Sequence, residues 1–326
     1  MKSWCEVTIA ACAALCAFLS GSAAEAKATY TTFDAGGTST FVTGINAANT
    51  VTGFSSGSRG SFVRTADGTV TTFDVGGAIT LAVDINDAGN IAGYYFDDTG
   101  EHGFMRSADG SITTFDVPRG ESTEPRAING KGGITGCYDL CQHAFVRNVR
   151  GKISKFDIPN LDLVYDINNA DAVVGIYGAF NSGFHGFLRT RDGTVSSIDV
   201  PGAHDTYATA INNTGSITGH YQDANGTGHG FMRAPDGTIT TFDAPDCVVS
   251  PLSITDEGLI AGPCWTGKKE EHKSIGFTRA PNGTITEFHV PGGTRTNPAG
   301  INGTGAIAGD YRDRGSHVYR GFLRIP

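Results

Sequence analysis

A unit of about forty residues occurs seven times in this chain, and it predicts an all-β fold: a seven-bladed β-propeller of four-stranded antiparallel blades. The unit is marked by a Phe-Asp pair at 33–34, 73–74, 115–116, 156–157 and 242–243, with Ile-Asp at 198–199 and Phe-His at 288–289 as variants. Each unit holds four short segments rich in β-branched and aromatic residues, bounded by Asn, Asp or Gly. The period, the strand content and the phase of the units relative to the termini carry this prediction.

The fifth unit shows the four strands most clearly. They lie at 206–212, 216–221, 229–233 and 238–243, with Asn-Thr-Gly at 213–215 and Asp-Gly at 236–237 between them. These dipeptide and tripeptide breaks are typical of tight turns, so each unit is expected to be a pair of consecutive hairpins.

The connections between strands are of two kinds. The residue that ends strand one precedes the Gly of strand two by seven positions in every unit, as from Asn46 to Gly53. The Phe of strand three precedes the anchor of strand four by eleven positions in the six complete units, as from Phe104 to Phe115. The spacing between strands two and three instead varies from nine to fifteen residues. In an up-and-down sheet the first and third connections share one end, so one face of the ring is uniform and the other is variable. We expect the variable face to bind partners.

The phase of the repeat predicts how the ring closes. The chain begins with a lone fourth-type strand at 30–34 and ends on a third-type strand at 321–326. Seven complete blades result only if the N-terminal strand completes the last blade. Such a join removes an exposed sheet edge, which favours a closed ring.

The repeat motifs also resemble a known family. The segment Gln142-His143-Ala144-Phe145, together with Ala-x-x-Ile-Asn and Gly-x-Ile-x-Gly, is similar to the HAF repeats of secreted bacterial proteins, over residues 30–326. The resemblance implies export and a propeller-like fold. It implies no catalytic residues.

The N-terminus has the features of a secretory signal peptide. Lys2 is followed by an apolar stretch from Ile9 to Leu19 and by the small-residue site Ala24-Glu25-Ala26. The sequence therefore predicts a signal peptide at 1–26, a seven-repeat propeller at 27–326, and a secreted or periplasmic location. The apolar stretch is too short to span a membrane. A formal net charge of −9 without a Lys/Arg tract argues against nucleic acid as a partner, and we expect a monomer.

Four cysteines remain after the signal peptide: Cys137, Cys141, Cys247 and Cys264. An even count in an oxidising compartment predicts two disulfides. The first two cysteines flank one hairpin loop and the other two lie within one repeat. Their spacing does not resemble a zinc site, so we expect no metal and no cofactor.

Residues that recur in every unit are expected to have structural roles. An Arg lies two positions after each strand-three Phe, which predicts that its stem covers that Phe and that its guanidinium meets the Asp ending strand four. A His recurs in four consecutive units at His102, His143, His185 and His229. These side chains are expected to splay around the ring and to pack rather than share a metal ion.

Residues that break the repeat in the variable loops are candidate ligand-binding groups: Asp97, Asp139, His220, Asp223, Arg312 and Asp313. Asp97, Asp223 and Asp313 each lie four positions after the strand-two Gly. They predict an open acidic rim suited to sugar hydroxyls or a divalent cation, with solvated loop-tip charges as the alternative.

These features favour a non-catalytic function. The sequence contains no complete set of catalytic residues, so we expect an exported binding or scaffold protein whose variable loops contact a glycan or protein partner. The alternative is a carbohydrate-active hydrolase or lyase that uses carboxylates at the central mouth of the ring.

Overall fold

The computed structural model describes residues 28–179, 182–266 and 273–326, which form 29 strands in seven antiparallel sheets and no helix. None of the described segments could therefore cross a membrane as a helix. The predicted signal peptide at 1–26 lies outside the described residues.

The strand bounds follow the repeat. Strands β1 to β9 are Thr29–Phe33, Ser39–Ile45, Val51–Ser56, Ser61–Arg64, Val70–Phe73, Ile79–Ile85, Ile91–Asp97, Gly100–Arg106 and Ile112–Phe115. Strands β10 to β17 are Thr123–Ile128, Ile134–Tyr138, His143–Arg147, Ile153–Phe156, Leu161–Ile167, Val173–Ala179, Gly183–Arg189 and Val195–Ile198. Strands β18 to β29 are Ala203–Ile211, Ile217–Asp223, Gly228–Arg233, Ile239–Phe242, Val248–Val249, Ser253–Ile254, Ile260–Thr266, Lys273–Arg279, Ile285–Phe288, Gly293–Ile301, Ile307–Asp313 and Tyr319–Ile325.

The seven sheets confirm the predicted seven-bladed propeller. Blades 1 to 5 are β2–β5, β6–β9, β10–β13, β14–β17 and β18–β21. Blade 6 is β22–β26, in which the first strand is split into β22 and β23, and both pieces pair with β24. Blade 7 is β27–β29 completed by β1. The N-terminal strand pairs antiparallel with β29, from Thr29 opposite Ile325 to Phe33 opposite Gly321, so the predicted closure is also confirmed.

Blades pack on one another through the strand-three Phe. All seven of these side chains are fully buried: Phe62, Phe104, Phe145, Phe187, Phe231, Phe277 and Phe322. The Phe and the Arg two positions later do share one strand face, because side chains alternate along a strand. That face lies against the preceding blade. Phe62 of blade 1 meets Phe33 of blade 7 edge to face, with ring centroids 5.8 Å apart, and the Arg64 guanidinium lies 5.1 Å from the centroid of Phe33.

The predicted partner of the repeated Arg is therefore wrong. Six such guanidinium–ring contacts across blade interfaces occur among the described residues, at 4.4–5.1 Å. The Asp that ends strand four instead contacts the recurring His of its own blade, as between His143 Nδ1 and Asp157 Oδ1 at 2.6 Å. A Tyr from strand two stacks on the face of that His ring, as Tyr138 does with ring centroids 5.1 Å apart. The recurring His residues are thus held within separate blades.

A β-bulge in the innermost strand explains why strand two carries a Gly in every blade. The register shifts by one residue in the first strand of six blades, as between Ala208 and Ala210 of β18, and the first strand of blade 6 is split at the same place. The bulge brings a first-strand carbonyl against the neighbouring strand. A Cβ added at Gly219 would overlap the Tyr207 carbonyl oxygen, so no larger residue fits. The bulged residue itself points into the central channel.

A belt of buried Asn side chains joins the first strands around the ring. The Asn that ends strand one accepts backbone N–H groups of its own turn and donates from Nδ2 to the backbone carbonyl of the equivalent Asn in the next blade. Asn302 donates to Asn46 O at 2.9 Å and thereby links blade 7 to blade 1. Blade 6 has Thr255 at this position, which accepts a bond from Asn212 Nδ2 at 2.8 Å but has no amide to donate onward. The belt lies on the uniform face, and its repeated geometry leaves the opposite face free to vary.

Candidate functional site

The three aspartates of the predicted rim are engaged in their own hairpin turns. Asp223 Oδ1 accepts the backbone N–H groups of Asn225 at 2.9 Å and Thr227 at 2.8 Å. Asp97 and Asp313 make the same kind of contact to residues two or three positions later. Hydrogen bonds to these turn residues hold the pKa of each carboxyl below its ordinary value. These carboxylates shape separate loops of the variable face, and the structure does not bring them together.

Two of the remaining predicted site residues also fix loop geometry. Asp139 Oδ1 accepts the backbone N–H of Glu121 from the neighbouring β9–β10 connection. Arg312 donates from Nε to the His317 carbonyl at 3.2 Å. The predicted cysteine pairs are each joined in a disulfide, Cys137 to Cys141 and Cys247 to Cys264, with Cα atoms 4.6 and 5.5 Å apart.

A different set of positions surrounds the mouth of the central channel on the variable face. At four junctions between blades in the described parts of the chain, a residue early in the first strand lies opposite the residue after the strand-two Gly, and next to a third-strand residue of the preceding blade. We call these three residues a mouth set. Four mouth sets have a contact across the blade junction: Tyr319–Phe41–Phe54, Glu101–Glu124–Cys137, Phe184–Tyr207–His220 and Ser274–Asn297–Asp310.

The mouth set between blades 4 and 5 is an aromatic stack. The Tyr207 ring packs flat on His220, with centroids 4.6 Å apart and planes 12° apart, and its centroid lies 5.6 Å from that of Phe184. Burial lowers the pKa of His220 to about 4, so the imidazole is neutral near pH 7. Its Nδ1 is buried without a partner among the described residues. Burial, with the charge of Asp205 adding to it, raises the pKa of Tyr207 to about 12, so its hydroxyl stays a donor.

A cleft of about 480 Å³ opens beside this stack between the two blades. Its apolar wall is formed by Phe184 and Tyr207. Its polar lining comes from His204, Asp205, Gln222, Asp223 and Asn225. Asp205 is buried and accepts the Phe184 backbone N–H at 2.8 Å, which fixes the aromatic residue across the blade junction. The cleft therefore combines rigid aromatic surface with amide, imidazole and carboxylate groups.

The mouth set between blades 7 and 1 is also aromatic. Phe41 stacks on Phe54 with centroids 5.3 Å apart and lies 5.4 Å from Tyr319. Arg295 donates to the Tyr319 hydroxyl at 3.1 Å. The same three positions thus hold aromatic side chains at two separate places around the ring.

The mouth set between blades 2 and 3 is ionisable instead. Burial together with the charge of Glu124 raises the pKa of Glu101, so the two carboxyl groups interact across the junction. Arg126, the bulged residue of β10, donates to Glu124 Oε2 at 2.7 Å. Burial raises the pKa of Tyr94, which also interacts with the charges of Arg126, Glu124 and Glu101. A second cleft of about 460 Å³ adjoins this set and is lined by Glu101, Asp139, Leu140 and their neighbours.

The channel behind the mouth is narrow and polar. It encloses about 180 Å³ and is lined by the first strands of all seven blades, including the bulged residues Arg126 and Tyr165. Asp84 accepts the backbone N–H of Ile85 at 2.8 Å and, across the junction, that of Ile128 at 2.9 Å. Asp166 repeats this arrangement two blades further on. Burial raises the pKa of Asp84 to about 7 and that of Asp166 to about 6. These carboxyl groups tie adjacent inner strands together.

Comparison with known proteins identifies the fold and no family. No protein-family model and no curated protein sequence matches the chain. Among solved structures, a streptogramin B lyase is similar over 92% of this chain and 98% of its own, with 15% identity and a TM-score of 0.62. A catalytically inactive virginiamycin B lyase from Staphylococcus aureus with quinupristin gives 92% and 100% coverage, 15% identity and a TM-score of 0.63. The β-propeller domain of the Trilobed protease from Pyrococcus furiosus, described as an open velcro propeller, gives 87% and 95% coverage, 9% identity and a TM-score of 0.63. At these identities the likeness establishes a propeller and no activity.

Sequence reasoning found one residue of the aromatic mouth sets, His220, and missed its partners. The missed residues lie in strands rather than in loops, as Tyr207 in β18 and Glu124 in β10 do. A signal was present in the sequence. The first-strand position occupied by Tyr207 varies from blade to blade inside a strand whose other positions repeat, which is the behaviour expected of a surface that binds something.

Proposed function

We propose that this protein is an exported, glycan-binding propeller whose site is the cleft between blades 4 and 5 on the variable face. The observation that carries the proposal is the aromatic pair Phe184 and Tyr207 beside polar groups of Gln222, Asp223 and Asn225. Sugar rings have apolar C–H faces and a periphery of hydroxyl groups. An aromatic wall with planar amide and carboxylate groups at its edge matches both features.

A glycan is favoured over a protein partner by the shape and chemistry of this site. The cleft is a recess of about 480 Å³ between two blades, which suits a short saccharide better than a flat protein surface. Its lining residues are held by bonds within the fold, such as Asp205 to the Phe184 backbone, so little ordering is needed on binding. Export and membership of the HAF-repeat proteins belong to the same proposal, and the signal-like N-terminus, the repeat motifs and the two disulfides support them.

Binding of soluble oligosaccharides tests the proposal. Purified protein is titrated calorimetrically with neutral β-glucan, chitin-derived and uronic-acid oligosaccharides. Tyr207→Ala and Phe184→Ala are each expected to weaken the binding of the preferred sugar at least tenfold, about 1.4 kcal/mol. Phe41→Ala is the matched control, because Phe41 occupies the same strand position in the other aromatic mouth set. Unchanged binding by Tyr207→Ala, or an equal loss in Phe41→Ala, would refute the assignment to this cleft.

A catalytic alternative is supported by the carboxyl pair Glu101 and Glu124 at the mouth. The charge of Glu124 raises the pKa of Glu101, so the two carboxyl groups interact across the blade junction. We take this pair as support for a lyase, with one carboxylate as base and Arg126 as the adjacent cation. Incubation with the same oligosaccharides distinguishes the two functions. Intact recovery of the bound sugar supports a binding protein, whereas cleavage that is lost in Glu124→Gln supports the lyase.

A further inference from the structure

We propose that Cys137–Cys141 is an exchangeable disulfide, with Cys141 as the sulfur that reacts with external thiols. This disulfide closes the loop between β11 and β12 and lies directly beside the mouth set of blades 2 and 3. Cys137 is fully buried in β11, whereas Cys141 is half-buried at the edge of the variable face. An incoming thiol therefore reaches Cys141 first.

The surroundings of Cys141 stabilise its thiolate, which is the group displaced from the mixed disulfide in the second step of exchange. Arg126 Nη2 lies 3.7 Å from Cys141 Sγ, and a neighbouring guanidinium lowers the pKa of a thiol. The negative charge of Glu124 lies nearby, but it is paired with the same Arg126 at 2.7 Å. The other ionisable groups around the loop line the adjoining cleft: Glu101, Glu121, Asp139 and His143.

The loop itself favours opening. Asp139, Leu140 and Cys141 have φ angles of 53°, 56° and 60°, so three consecutive non-glycine residues lie in the left-handed region. That region is unfavourable for residues with a side chain, and a single such residue is already uncommon. Leu140 is 77% exposed, so little packing opposes a change in the loop. Cleavage of the disulfide removes one of the constraints that hold these residues at such angles, alongside the bonds of Asp139 to Glu121 and of Leu140 to Ser122.

The second disulfide provides an internal comparison. Cys264 is fully buried and Cys247 is half-buried, so the exposure of the pair matches that of Cys137 and Cys141. The group beside the more exposed sulfur is a carboxylate and not a guanidinium, because Glu287 Oε1 lies 3.5 Å from Cys247 Sγ. A carboxylate disfavours a thiolate, so this disulfide is expected to resist exchange.

The proposed reaction with glutathione is a two-step exchange. A glutathione thiolate attacks Cys141 Sγ, the protein S–S bond breaks, and its electron pair leaves on Cys137 Sγ, which takes up a proton. A second glutathione thiolate then attacks the glutathione sulfur of the mixed disulfide and displaces the Cys141 thiolate beside Arg126. One protein disulfide is reduced to two thiols, and two glutathione molecules are oxidised to glutathione disulfide.

Alkylation mapping of the native protein tests the inference. The folded protein is incubated with reduced glutathione at pH 7, quenched with iodoacetamide and mapped by peptide mass spectrometry. Cys141 is expected to be labelled at least tenfold faster than Cys247, with the glutathione adduct on Cys141. Equal rates, faster labelling of Cys247, or reduction only after addition of denaturant would overturn the proposal.

The role of Arg126 has its own readout. In the reduced protein, Arg126→Gln is expected to raise the pH midpoint of Cys141 alkylation by about one unit, which is about a tenfold loss of thiolate at neutral pH. Arg126→Lys keeps the positive charge and is expected to retain most of the parent behaviour. A midpoint that is unchanged in Arg126→Gln would show that the guanidinium does not activate Cys141. The melting temperature of each variant, measured with the disulfides intact, separates this effect from loss of folding.

Discussion

Removing the amide that joins blade 7 to blade 1 tests the Asn belt. Asn302 Nδ2 donates to Asn46 O at 2.9 Å and Asn49 Oδ1 at 2.8 Å, and Asn302 Oδ1 accepts bonds from Thr304 N, Thr304 Oγ1 and Ala306 N. Asn302→Ala removes all five bonds at a residue that is 6% exposed. A buried hydrogen bond contributes about 1 kcal/mol net, and the partners near the surface recover bonds to water. We expect the free energy of unfolding to fall by about 3 kcal/mol, which corresponds to roughly 6–12 °C in melting temperature.

A matched variant separates the blade-to-blade bonds from the turn. Asn148 occupies a hairpin turn between β12 and β13 and accepts the backbone N–H groups of Arg150 and Lys152, both at 3.0 Å, on the exposed surface. Asn148→Ala is expected to cost about 1 kcal/mol, as capping contacts of this kind do. Guanidinium titration followed by circular dichroism gives both values. Equal losses in the two variants would refute the idea that the belt holds the ring together.

Three further predictions concern closure and pH. Thr255→Asn supplies the amide missing from the belt and is expected to raise the free energy of unfolding by about 1 kcal/mol; a decrease in the guanidinium midpoint would contradict this. Phe33→Ala in β1 removes the ring that contacts Arg64 and is expected to cost about 3 kcal/mol; a loss below about 1 kcal/mol would show that β1 contributes little to closure. Asp84 has a folded pKa of about 7 and an ordinary pKa of 3.8, so the native state binds a proton more tightly than the unfolded chain. Its contribution is complete below pH 3.8 and is lost progressively until the pH exceeds about 7, with a slope of up to about 1.4 kcal/mol per pH unit in between. Urea midpoints between pH 5 and 8 should show this slope flattened in Asp84→Asn, and the same slope in both proteins would contradict the assignment.

The repeat was sufficient to predict the architecture because every blade uses the same local rules. Turn residues bound each strand, and the phase of the termini required β1 to join β29, as it does. The recurrence of Gly in strand two is visible in the sequence, but the structural requirement for Gly at this position is not. It depends on a bulge in the adjacent strand, where the Tyr207 carbonyl occupies the space that a side chain at Gly219 would need.

Contacts between blades were the part that the sequence did not determine. The Arg of strand three was expected to meet an Asp of its own unit, since reasoning within one unit offers that Asp as the nearest carboxylate. The Arg64 guanidinium lies instead on Phe33, which is supplied by the preceding blade. The Asp is taken by a His, as Asp157 is by His143. The prediction that Phe and Arg share one strand face was correct. The residue that covers this face comes from the preceding blade, so it could not be inferred from the sequence of a single repeat.

The candidate site was missed for a related reason. Charged residues in the variable loops are conspicuous in the sequence, but their carboxylates, such as that of Asp223, shape their own turns. The side chains that meet at the mouth come from different strands of adjacent blades. Tyr207 and Phe184 are 23 positions apart, and only the docking of blade 5 on blade 4 places their rings 5.6 Å from one another.

The divided first strand of blade 6 has a consequence for how this molecule comes apart. A closed ring of blades has no exposed terminal blade, so unfolding is expected to start where the contacts between neighbouring segments are weakest. That place is blade 6, where β22 and β23 replace one continuous first strand and where Thr255 interrupts the belt of Asn side chains. Deuterium should therefore enter these backbone amides earliest. The Cys247–Cys264 disulfide joins the segment before β22 to β24. Opening of blade 6 is therefore expected to stay local, and the amides of the other six blades are expected to remain protected from hydrogen exchange.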